Sequence, residues 1–404
     1  MTIFNPKAPL PGPPTPWAGT GMPSPRSGPP YHMTEMIQAE PALVGRILAR
    51  LAAQDGSAAR LAAAIRAAST AGRPVLVVGC GTSEHAAAAL AAILRDANRA
   101  AGLPGRIGEG GAPIAVQAFE ASLEPAPGGP GALVIGVSHE GGTRMTLRAL
   151  AEARDAGATV AFITAAAASP GAIMADLVVS TEELDQSWCH TIGYVSPIVA
   201  GAAIGAHLRG SSVDTEAASA LLASGLEEHS TAAIRHMAAS LAGVERLLVV
   251  GSGSDLIAAR ELTLKVEEGV HLPAASRDVE TMLHGHLAGS DDATGLVLIL
   301  AEPVAQGART SRALGVLRAF RELGLRAGAI LADAVAGEID PELTPAGRVV
   351  VRTSSSLPDP VAALLATVVP LQRLTEELAI ARGVNPDPIR RDDPRYLAAS
   401  DAAG

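Results

Sequence analysis

Two segments of the chain share one pattern of residues, and this repeat constrains the fold more than any other feature of the sequence. The segment VLVVGCGTSEHAAAAL runs from Val75 to Leu90, and LLVVGSGSDLIAAREL runs from Leu247 to Leu262, 172 residues later. In each segment, an apolar run typical of a buried strand is followed by a Gly-x-Gly turn and a helix-forming stretch. A repeat that preserves the order of strand, turn and helix predicts two copies of one unit.

Further apolar runs alternate with helical stretches after each copy of the pattern. The predicted strands are Val75–Val78, Ile114–Phe119, Leu133–Val137, Val160–Thr164, Leu177–Ser180, Leu296–Leu300, Ala327–Leu331 and Arg348–Val351, together with the start of the second copy. Strands that alternate with helices form a parallel sheet that is covered on both faces. We therefore predict an α/β protein with two tandem, doubly wound parallel-sheet domains.

The first 32 residues differ in composition from the rest of the chain. Residues 1–32 are rich in Pro and Gly, which is typical of an extended or disordered arm. One interpretation is a solvated tail, and the other is an arm that packs on a partner subunit through Trp17. The two domains are then expected at residues 33–222 and 223–404, with a helical join near residues 210–240.

The composition disfavours several classes of function. A formal net charge of -10 disfavours a non-specific nucleic-acid partner, and an aromatic content of 2% argues against a surface on which bases stack. No apolar run suits a membrane span and no secretory signal is evident, so we predict a cytoplasmic protein without a membrane partner. Cys80 and Cys189 lack the spacing of metal ligands, and we expect neither a disulfide nor a metal site.

The first Gly-x-Gly turn suggests a binding site for an anion. A strand that leads into a helix N-terminus presents backbone N–H groups to a phosphate or carboxylate. The dinucleotide-binding motif requires glycine where Glu84 stands, and a P-loop requires a lysine that is absent, so a nucleotide-dependent oxidoreductase is disfavoured. The turn offers instead the hydroxyl groups of Thr82 and Ser83, which follow Gly81.

A second turn of this kind follows another predicted strand. The segment VIGVSHEGGTRMTLRAL places Ser138 at the end of the strand and Thr143 at the start of a helix. Open α/β sheets bind ligands at the carboxyl ends of their strands, which is where both turns are expected. Ordinary N-capping of the helix by Thr143 is the alternative interpretation.

With these motifs the chain resembles the SIS-domain family of sugar-phosphate proteins, in particular the isomerase half of glutamine–fructose-6-phosphate aminotransferase. Residues 81–83 resemble the Gly-Thr-Ser phosphate loop of the family, and residues 138–143 resemble its Ser-Gln-Ser-Gly-Glu-Thr loop. Residues 261–289 resemble its Leu-Lys-x-x-Glu…Glu-x-x-His-Gly-Pro region, and residues 370–397 resemble its C-terminal stretch. The resemblance implies SIS-like, flavodoxin-like domains and a homodimer with shared active sites.

The resemblance also implies which residues bind the substrate, a sugar or sugar phosphate. They lie in the two turns and in one further loop: Gly81, Thr82, Ser83, Ser138, His139, Glu140, Gly141, Thr143 and Thr191. Within this set, Ser83, Ser138 and Thr143 would hold the phosphate or its equivalent.

The catalytic positions of the family fall on Lys265, Glu268 and His284 with unchanged spacing. Interconversion of aldose and ketose moves a proton between C1 and C2, which one carboxylate, that of Glu268, can carry. His284 can move protons during ring opening, and Lys265 can stabilise enediolate charge. By the resemblance, His284 enters the site of the neighbouring subunit. Without the resemblance, Lys265 and Glu268 are read as an ion pair on a helix surface. Glu280 either orients His284 or caps a turn.

Several positions around the expected substrate depart from the family. Glu140 stands in place of a serine in the phosphate loop, where its charge would repel a phosphate. Ala399 stands in place of a C-terminal lysine, and Trp188 and His190 replace smaller residues beside Thr191. The sugar, its phosphorylation and the nitrogen donor or acceptor therefore stay open.

The leading hypothesis is an enzyme for aldose–ketose isomerisation of a sugar phosphate or amino sugar, with amine transfer, deamination or deglycation as variants. No metal or organic cofactor is expected. No glutaminase domain is expected either, so any ammonia from glutamine would need a separate subunit. The alternative is a non-catalytic protein that senses a sugar phosphate. Retention of Lys265, Glu268 and His284 favours the enzyme, because a sensor needs only the hydroxyl-bearing loops.

Overall fold

A computed structural model describes residues 4–13, 15–18, 26–123 and 129–403 of the chain. The elements up to the end of the first sheet and its last helix are α1 (His32–Leu51), α2 (Ser57–Thr70), β1 (Val75–Gly79), α3 (Thr82–Ala100), β2 (Pro113–Gln117), α4 (Ala118–Leu123), β3 (Leu133–Val137), α5 (Arg144–Asp155), β4 (Thr159–Thr164), α6 (Pro170–Met174), β5 (Leu177–Ser180) and α7 (Ile192–Arg209).

The remaining elements form and flank a second sheet. They are α8 (Thr215–Ser224), α9 (Glu228–Leu241), β6 (Arg246–Gly251), α10 (Ser254–Val270), β7 (Ala274–Asp278), α11 (Val279–Leu283), β8 (Thr294–Leu300), α12 (Gln306–Glu322), β9 (Arg326–Ala332), α13 (Asp333–Ala336), β10 (Gly347–Val351), α14 (Asp359–Ala381) and α15 (Pro394–Ala403).

The two five-stranded sheets are parallel and have the same strand order. The first runs β2-β1-β3-β4-β5, and the second, read from its other edge, runs β7-β6-β8-β9-β10. In the first sheet, Val77 of β1 lies opposite Ala115 on one side and Ile135 on the other. The predicted α/β class with parallel sheets is therefore confirmed. The order 2-1-3-4-5 is a doubly wound arrangement that has its ligand crevice where the strand order reverses.

The apolar side chains of each sheet alternate between two clusters, as the pleat of a strand requires. In β1, Val77 belongs to a large central cluster and Val78 to an outer one. In β6, Val249 belongs to the same central cluster and Val250 to a different outer one. Helices α3, α7, α10 and α14 also contribute to the central cluster, and α3 contacts α10. The two sheets therefore share one core, which fixes the ends of β1 and β3 relative to α10.

Each predicted strand agrees with an observed one to within two residues at either end, and one boundary difference and one unpredicted strand have a physical reason. Strand β2 ends at Gln117, two residues before the predicted end, because the Gln117 side-chain oxygen accepts the N–H groups of Phe119 and Glu120 and starts helix α4. Strand β7 was not predicted, since its sequence AASRD has no apolar run. It lies at the edge of the second sheet, where a strand is half exposed and tolerates polar residues.

The described residues of the N-terminal arm lie against the folded chain, which differs from a solvated tail. The Leu10 N–H donates to Glu183 Oε2 at 3.0 Å, and the Leu184 N–H donates to the Leu10 carbonyl at 2.7 Å. Leu10 is buried because these bonds satisfy its backbone while its side chain joins the core. Trp17 lies against Gly142, where an added Cβ would be 2.6 Å from the Trp17 Cβ.

Among the described residues, we find no helix whose length and apolar character would let it cross a bilayer.

Candidate active site

The first turn connects β1 to α3 through a backbone that only glycine adopts readily. Gly81 has φ 57° and ψ -130°, and it precedes Thr82, the first residue of α3. At Gly79 an added Cβ would lie 2.3 Å from the Ser83 carbonyl oxygen, so the strand and the helix meet without room for a side chain. Thr82 and Ser83 are both buried beneath this turn. The turn therefore places two hydroxyl groups and a helix N-terminus at the carboxyl end of β1, as predicted.

The second turn follows β3 and is held by its own hydroxyl groups. Ser138 Oγ lies 2.9 Å from Thr143 Oγ1 and accepts the Gly141 N–H at 3.2 Å. Gly141 has φ 79°, and an added Cβ there would lie 2.0 Å from Ser169 Oγ. Thr143 is the N-cap residue of α5, but its side chain makes no capping hydrogen bond. The N-capping interpretation therefore does not describe its hydroxyl group, which faces Ser138.

The side chain of His139 is fixed by the loop that precedes α7. Its Nε2 accepts the Asp185 N–H at 2.9 Å. The Asp185 carboxylate in turn accepts the N–H groups of Thr191, at 3.2 Å, and of Gly193, at 2.7 Å. The rings of His139 and His190 lie 5.2 Å apart, edge to face. Burial lowers the pKa of both imidazoles, that of His190 the more strongly, so both are neutral at neutral pH.

Glu140 is half-buried beside charges of both signs. Burial and the neighbouring Asp185 raise the pKa of the Glu140 carboxyl, while Arg391 acts in the opposite direction. Arg391 lies over the Trp188 ring, with its guanidinium carbon 4.7 Å from the ring centre. The Glu140 carboxyl group is therefore influenced by one anionic neighbour, Asp185, and one cationic neighbour, Arg391.

Lys265 and Glu268 form a buried ion pair on α10. Lys265 Nζ lies 2.5 Å from Glu268 Oε2 and 3.8 Å from Glu261 Oε1. The Lys265 side chain is 0% exposed and that of Glu268 is 25% exposed, so the pair is not the surface ion pair that the spacing alone allowed. Burial lowers the pKa of the Lys265 ammonium, but Glu268, Cys189 and Glu261 together raise it further, and the net shift is upward. Lys265 is therefore a permanent cation beside a carboxylate that reaches solvent.

Sequence reasoning missed two members of this ionic cluster. Glu261 is buried one helical turn before Lys265, and His85 Nδ1 lies 2.7 Å from Glu261 Oε2. The i, i+4 spacing of Glu261 and Lys265 was available as a signal. No local pattern could have found His85, because it stands on α3, 176 residues before its partner.

His284 lies away from this cluster. Its side chain is 73% exposed, at the end of α11, and its Nε2 lies 2.7 Å from Glu280 Oε1. Glu280 is also bound by Arg312, while Asp278 accepts the Glu280 N–H as the cap of α11. Glu280 therefore orients the imidazole rather than capping the turn. Among the described contacts, none joins His284 to Lys265 or Glu268.

Two of the segments that carry predicted site residues, the first turn and the loop of Thr191, reach α10. At the first turn, Cys80 Sγ accepts a bond from Thr146 Oγ1 of α5 at 3.7 Å. An added Cβ on Gly81 would lie 3.9 Å from Leu264 of α10. Cys189 packs against Gly269, so the loop that carries His190 and Thr191 also reaches α10.

Ala399 is exposed on α15. Within the described ranges, no group of three or more His, Cys, Asp or Glu side chains could hold a metal ion.

The equivalent turn of the second sheet has the same backbone but is already filled. Gly253 has φ 65° and ψ -128°, close to the values of Gly81. Glu302 Oε2 accepts the Ser254 N–H at 3.2 Å. The Arg309 side chain binds Ser252 and lies against Gly253, where an added Cβ would be 2.7 Å from a guanidinium nitrogen. A carboxylate and a guanidinium of the chain itself therefore occupy this turn.

Asp255 is buried behind this second turn. Its Oδ2 accepts the N–H groups of Ala301 and Glu302, each at 3.0 Å, and its Oδ1 has no hydrogen-bond partner among the described residues. Burial raises the pKa of the Asp255 carboxyl to about 7, against the opposing effect of the two N–H bonds.

Comparison with solved structures places this fold among known sugar-phosphate enzymes. The C-terminal domain of glucosamine-fructose-6-phosphate aminotransferase from Francisella tularensis matches with a TM-score of 0.74 and 20% identity, over 90% of this chain and 99% of that chain. Tagatose-6-phosphate ketose/aldose isomerase from Escherichia coli matches with a TM-score of 0.69 and 18% identity, over 91% and 98%. Glucosamine-6-phosphate deaminase from Thermotoga maritima matches with a TM-score of 0.57 and 17% identity, over 85% and 97%.

At sequence identities of 17–20%, the structural similarity shows that these proteins share a fold with this chain. The resemblance drawn from the sequence motifs is confirmed at that level, because the matched structures include the isomerase part of the aminotransferase. Comparisons by sequence add nothing further, since no protein-family model and no curated protein matches the chain.

Proposed function

We propose that this protein is an isomerase-type enzyme that moves a proton between C1 and C2 of a sugar phosphate or amino sugar. The observation that carries the proposal is the buried Lys265–Glu268 pair, whose carboxylate reaches solvent from α10, the helix that contacts α3 and thus the helix of the first turn. The names of the matched structures, a ketose/aldose isomerase, a deaminase and an aminotransferase domain, support the same class of chemistry. Amine transfer, deamination and deglycation are variants that include a proton transfer between the same two carbons.

In the proposed reaction Glu268 is the base. Its carboxylate removes the proton from C2 of the open-chain aldose, and the electron pair moves through the C1–C2 bond to the carbonyl oxygen O1. The ammonium group of Lys265 stabilises the negative charge of the enediolate. Glu268 then returns the proton to C1, and a proton moves from O2 to O1 as the C2 carbonyl forms. Ser83, Ser138 and Thr143 hold the far end of the substrate through their hydroxyl groups.

We also infer that the active sites are shared between two copies of the chain. His284 is exposed and held by Glu280, and no described contact links it to the Lys265–Glu268 pair of its own chain. An imidazole that projects from one subunit can serve ring opening in the site of another. The inference predicts a homodimer in which each site takes Glu268 from one copy and His284 from the other.

We infer in addition that the two sheets mark two tandem domains of one flavodoxin-like kind, at residues 33–222 and 223–404. Their equal strand order and the matching backbone of Gly81 and Gly253 support an internal duplication.

The function is tested by Glu268→Gln, with Glu267→Gln as a matched control on the exposed side of the same helix. The protein is incubated in deuterium oxide with a panel of phosphorylated and unphosphorylated aldoses, ketoses and amino sugars. Proton NMR then follows deuterium incorporation at C1 and C2. We expect exchange with at least one sugar, a loss on the order of 10²–10⁴ in Glu268→Gln, and no loss in the control.

Binding is measured in parallel by thermal shift. A sugar that stabilises the protein by mass action should still stabilise Glu268→Gln, because the substitution removes the base and leaves the hydroxyl-bearing turns. If the unmodified protein binds a sugar specifically but catalyses no exchange, the sensor hypothesis is favoured over the enzyme hypothesis. Normal exchange in Glu268→Gln would place the proton transfer elsewhere.

A further inference from the structure

Four ionisable side chains form a continuous line between α3 and α10. His85 Nδ1 lies 2.7 Å from Glu261 Oε2, Glu261 Oε1 lies 3.8 Å from Lys265 Nζ, and Lys265 Nζ lies 2.5 Å from Glu268 Oε2. Exposure of the side chains is 14% for His85, 1% for Glu261, 0% for Lys265 and 25% for Glu268. The line therefore begins beside the first turn and ends at the proposed base.

The two oxygens of Glu261 are used unequally. Oε2 is bound by His85, whereas Oε1 is buried without a hydrogen bond and faces the Lys265 ammonium group. A buried acceptor without a donor is unfavourable, so Oε1 is an open position for a hydrogen bond from Lys265. At rest that ammonium group donates to Glu268 instead.

This arrangement fits the charge changes of the proposed reaction. When Glu268 takes a proton from the substrate it becomes neutral, and its attraction for Lys265 falls. Glu261 then offers Lys265 a second carboxylate within a short movement, so the ammonium group keeps a carboxylate partner while its remaining N–H groups stay available to the enediolate oxygen. The movement reverses when Glu268 returns the proton. The bond from His85 holds Glu261 far enough from Lys265 that, in the resting site, Lys265 stays bound to Glu268.

We propose that His85 is a positioning residue of this enzyme, which acts through Glu261 to keep Lys265 bound to Glu268 in the resting site. The proposal rests on the proposed function and adds a role for the first sheet. His85 follows Ser83 by two residues on α3. The helix that presents the substrate-binding turn therefore also sets the geometry of a base that stands on α10.

The test compares His85→Leu with the conservative variant His85→Asn. The Asn amide nitrogen can take the place of Nδ1 as a donor to Glu261, whereas Leu fills the space without a donor. We expect His85→Leu to lower kcat for the exchange reaction by about 10-fold to 100-fold with an almost unchanged KM, because the base is misplaced while the binding turns are intact. His85→Asn should restore most of the lost turnover, which a general loss of stability would not explain.

A matched control breaks a different side-chain bond between the two parts of the chain. Thr34 of α1 donates to Glu376 of α14, a bond that involves none of the four side chains of the line, so Thr34→Val should leave kcat and KM unchanged. Thermal unfolding of all variants separates folding from turnover.

Crystal structures of the unmodified protein and of His85→Leu give a readout that does not depend on activity. Without His85, Glu261 is free to turn both oxygens toward Lys265, and we expect Nζ to lie closer to Glu261 than to Glu268 in the variant. An unchanged Lys265–Glu268 pair in His85→Leu overturns the positioning role whether or not any sugar is turned over. Full kcat in His85→Leu, with loss in Glu268→Gln, overturns it and leaves the proposed function standing. Absence of exchange in the unmodified protein refutes the proposed function, and with it this role.

Discussion

Replacement of Asp255 by asparagine should make the protein less sensitive to a rise in pH. Asp255 is buried behind the second turn, and its carboxyl has its pKa raised to about 7 by burial. The usual pKa of an aspartate in an unfolded chain is about 3.9. The folded protein therefore binds one more proton than the unfolded chain between these two values. Because the folded pKa is the higher one, the stabilisation is complete below about pH 4 and is lost as the pH rises toward 7.

The magnitude follows from the difference between the two pKa values. One pKa unit corresponds to about 1.4 kcal/mol, so a rise from about 3.9 to about 7 corresponds to roughly 4 kcal/mol over the whole interval. About half of this, roughly 2 kcal/mol, falls between pH 5 and pH 7, where denaturation is easily measured. Asparagine has the same shape and does not titrate. Its side-chain oxygen can keep both N–H bonds that Oδ2 accepts, and its NH₂ group supplies a donor where Oδ1 has no partner.

The assay is urea denaturation of the unmodified protein and Asp255→Asn at pH 5, 6 and 7. The free energy of unfolding of the variant should rise by roughly 2 kcal/mol relative to the unmodified protein between pH 5 and pH 7. Asp292→Asn, at an exposed position of the same chain, is the control and should show no such trend. A difference that stays constant with pH would mean that Asp255 is ionised in the folded protein, and the reasoning from burial would be wrong.

Two further predictions concern the substrate and the assembly. Glu140→Ser should raise the affinity for a phosphorylated sugar and leave that for the unphosphorylated sugar unchanged, as measured by titration calorimetry; equal affinities in both proteins would mean that the Glu140 side chain does not approach the phosphate. A 1:1 mixture of His284→Ala and Glu268→Gln, each inactive alone, should recover about a quarter of the unmodified activity after subunit exchange, because half of the random dimers carry one intact site of two. No recovery in verified mixed dimers would place both residues in a site of one chain.

The fold was largely predictable because buried parallel strands leave a strong local signal. Apolar runs such as Leu133–Val137 coincide with observed strands, and the Gly-x-Gly turns follow directly from the strand-to-helix connection. Strand β7 left no such signal, since an edge strand with polar residues gains its stability from pairing with β6 rather than from burial.

The candidate site was predictable only where its residues lie close in sequence. The two turns and the spacing of Lys265 and Glu268 were visible as local motifs. The burial of that pair, and its link through Glu261 to His85, depends on contact between α3 and α10. Such contacts arise when segments that are distant in sequence pack together. The charges of the residues do not predict which helices will be in contact. The roles of the site residues stay predictions.

The filled turn of the second sheet has a consequence for the functions of the two copies of the repeat. An internal counter-ion, Glu302, holds the helix N-terminus that the first turn leaves to hydroxyl groups. The two copies are then no longer interchangeable, and under the proposed function one would bind the ligand while the other would supply the base. We expect a stoichiometry of one sugar per chain, although the chain carries two turns of the same geometry. Under the proposed function, separation of the copies would divide the ligand contacts from the base, so neither copy alone should catalyse the exchange.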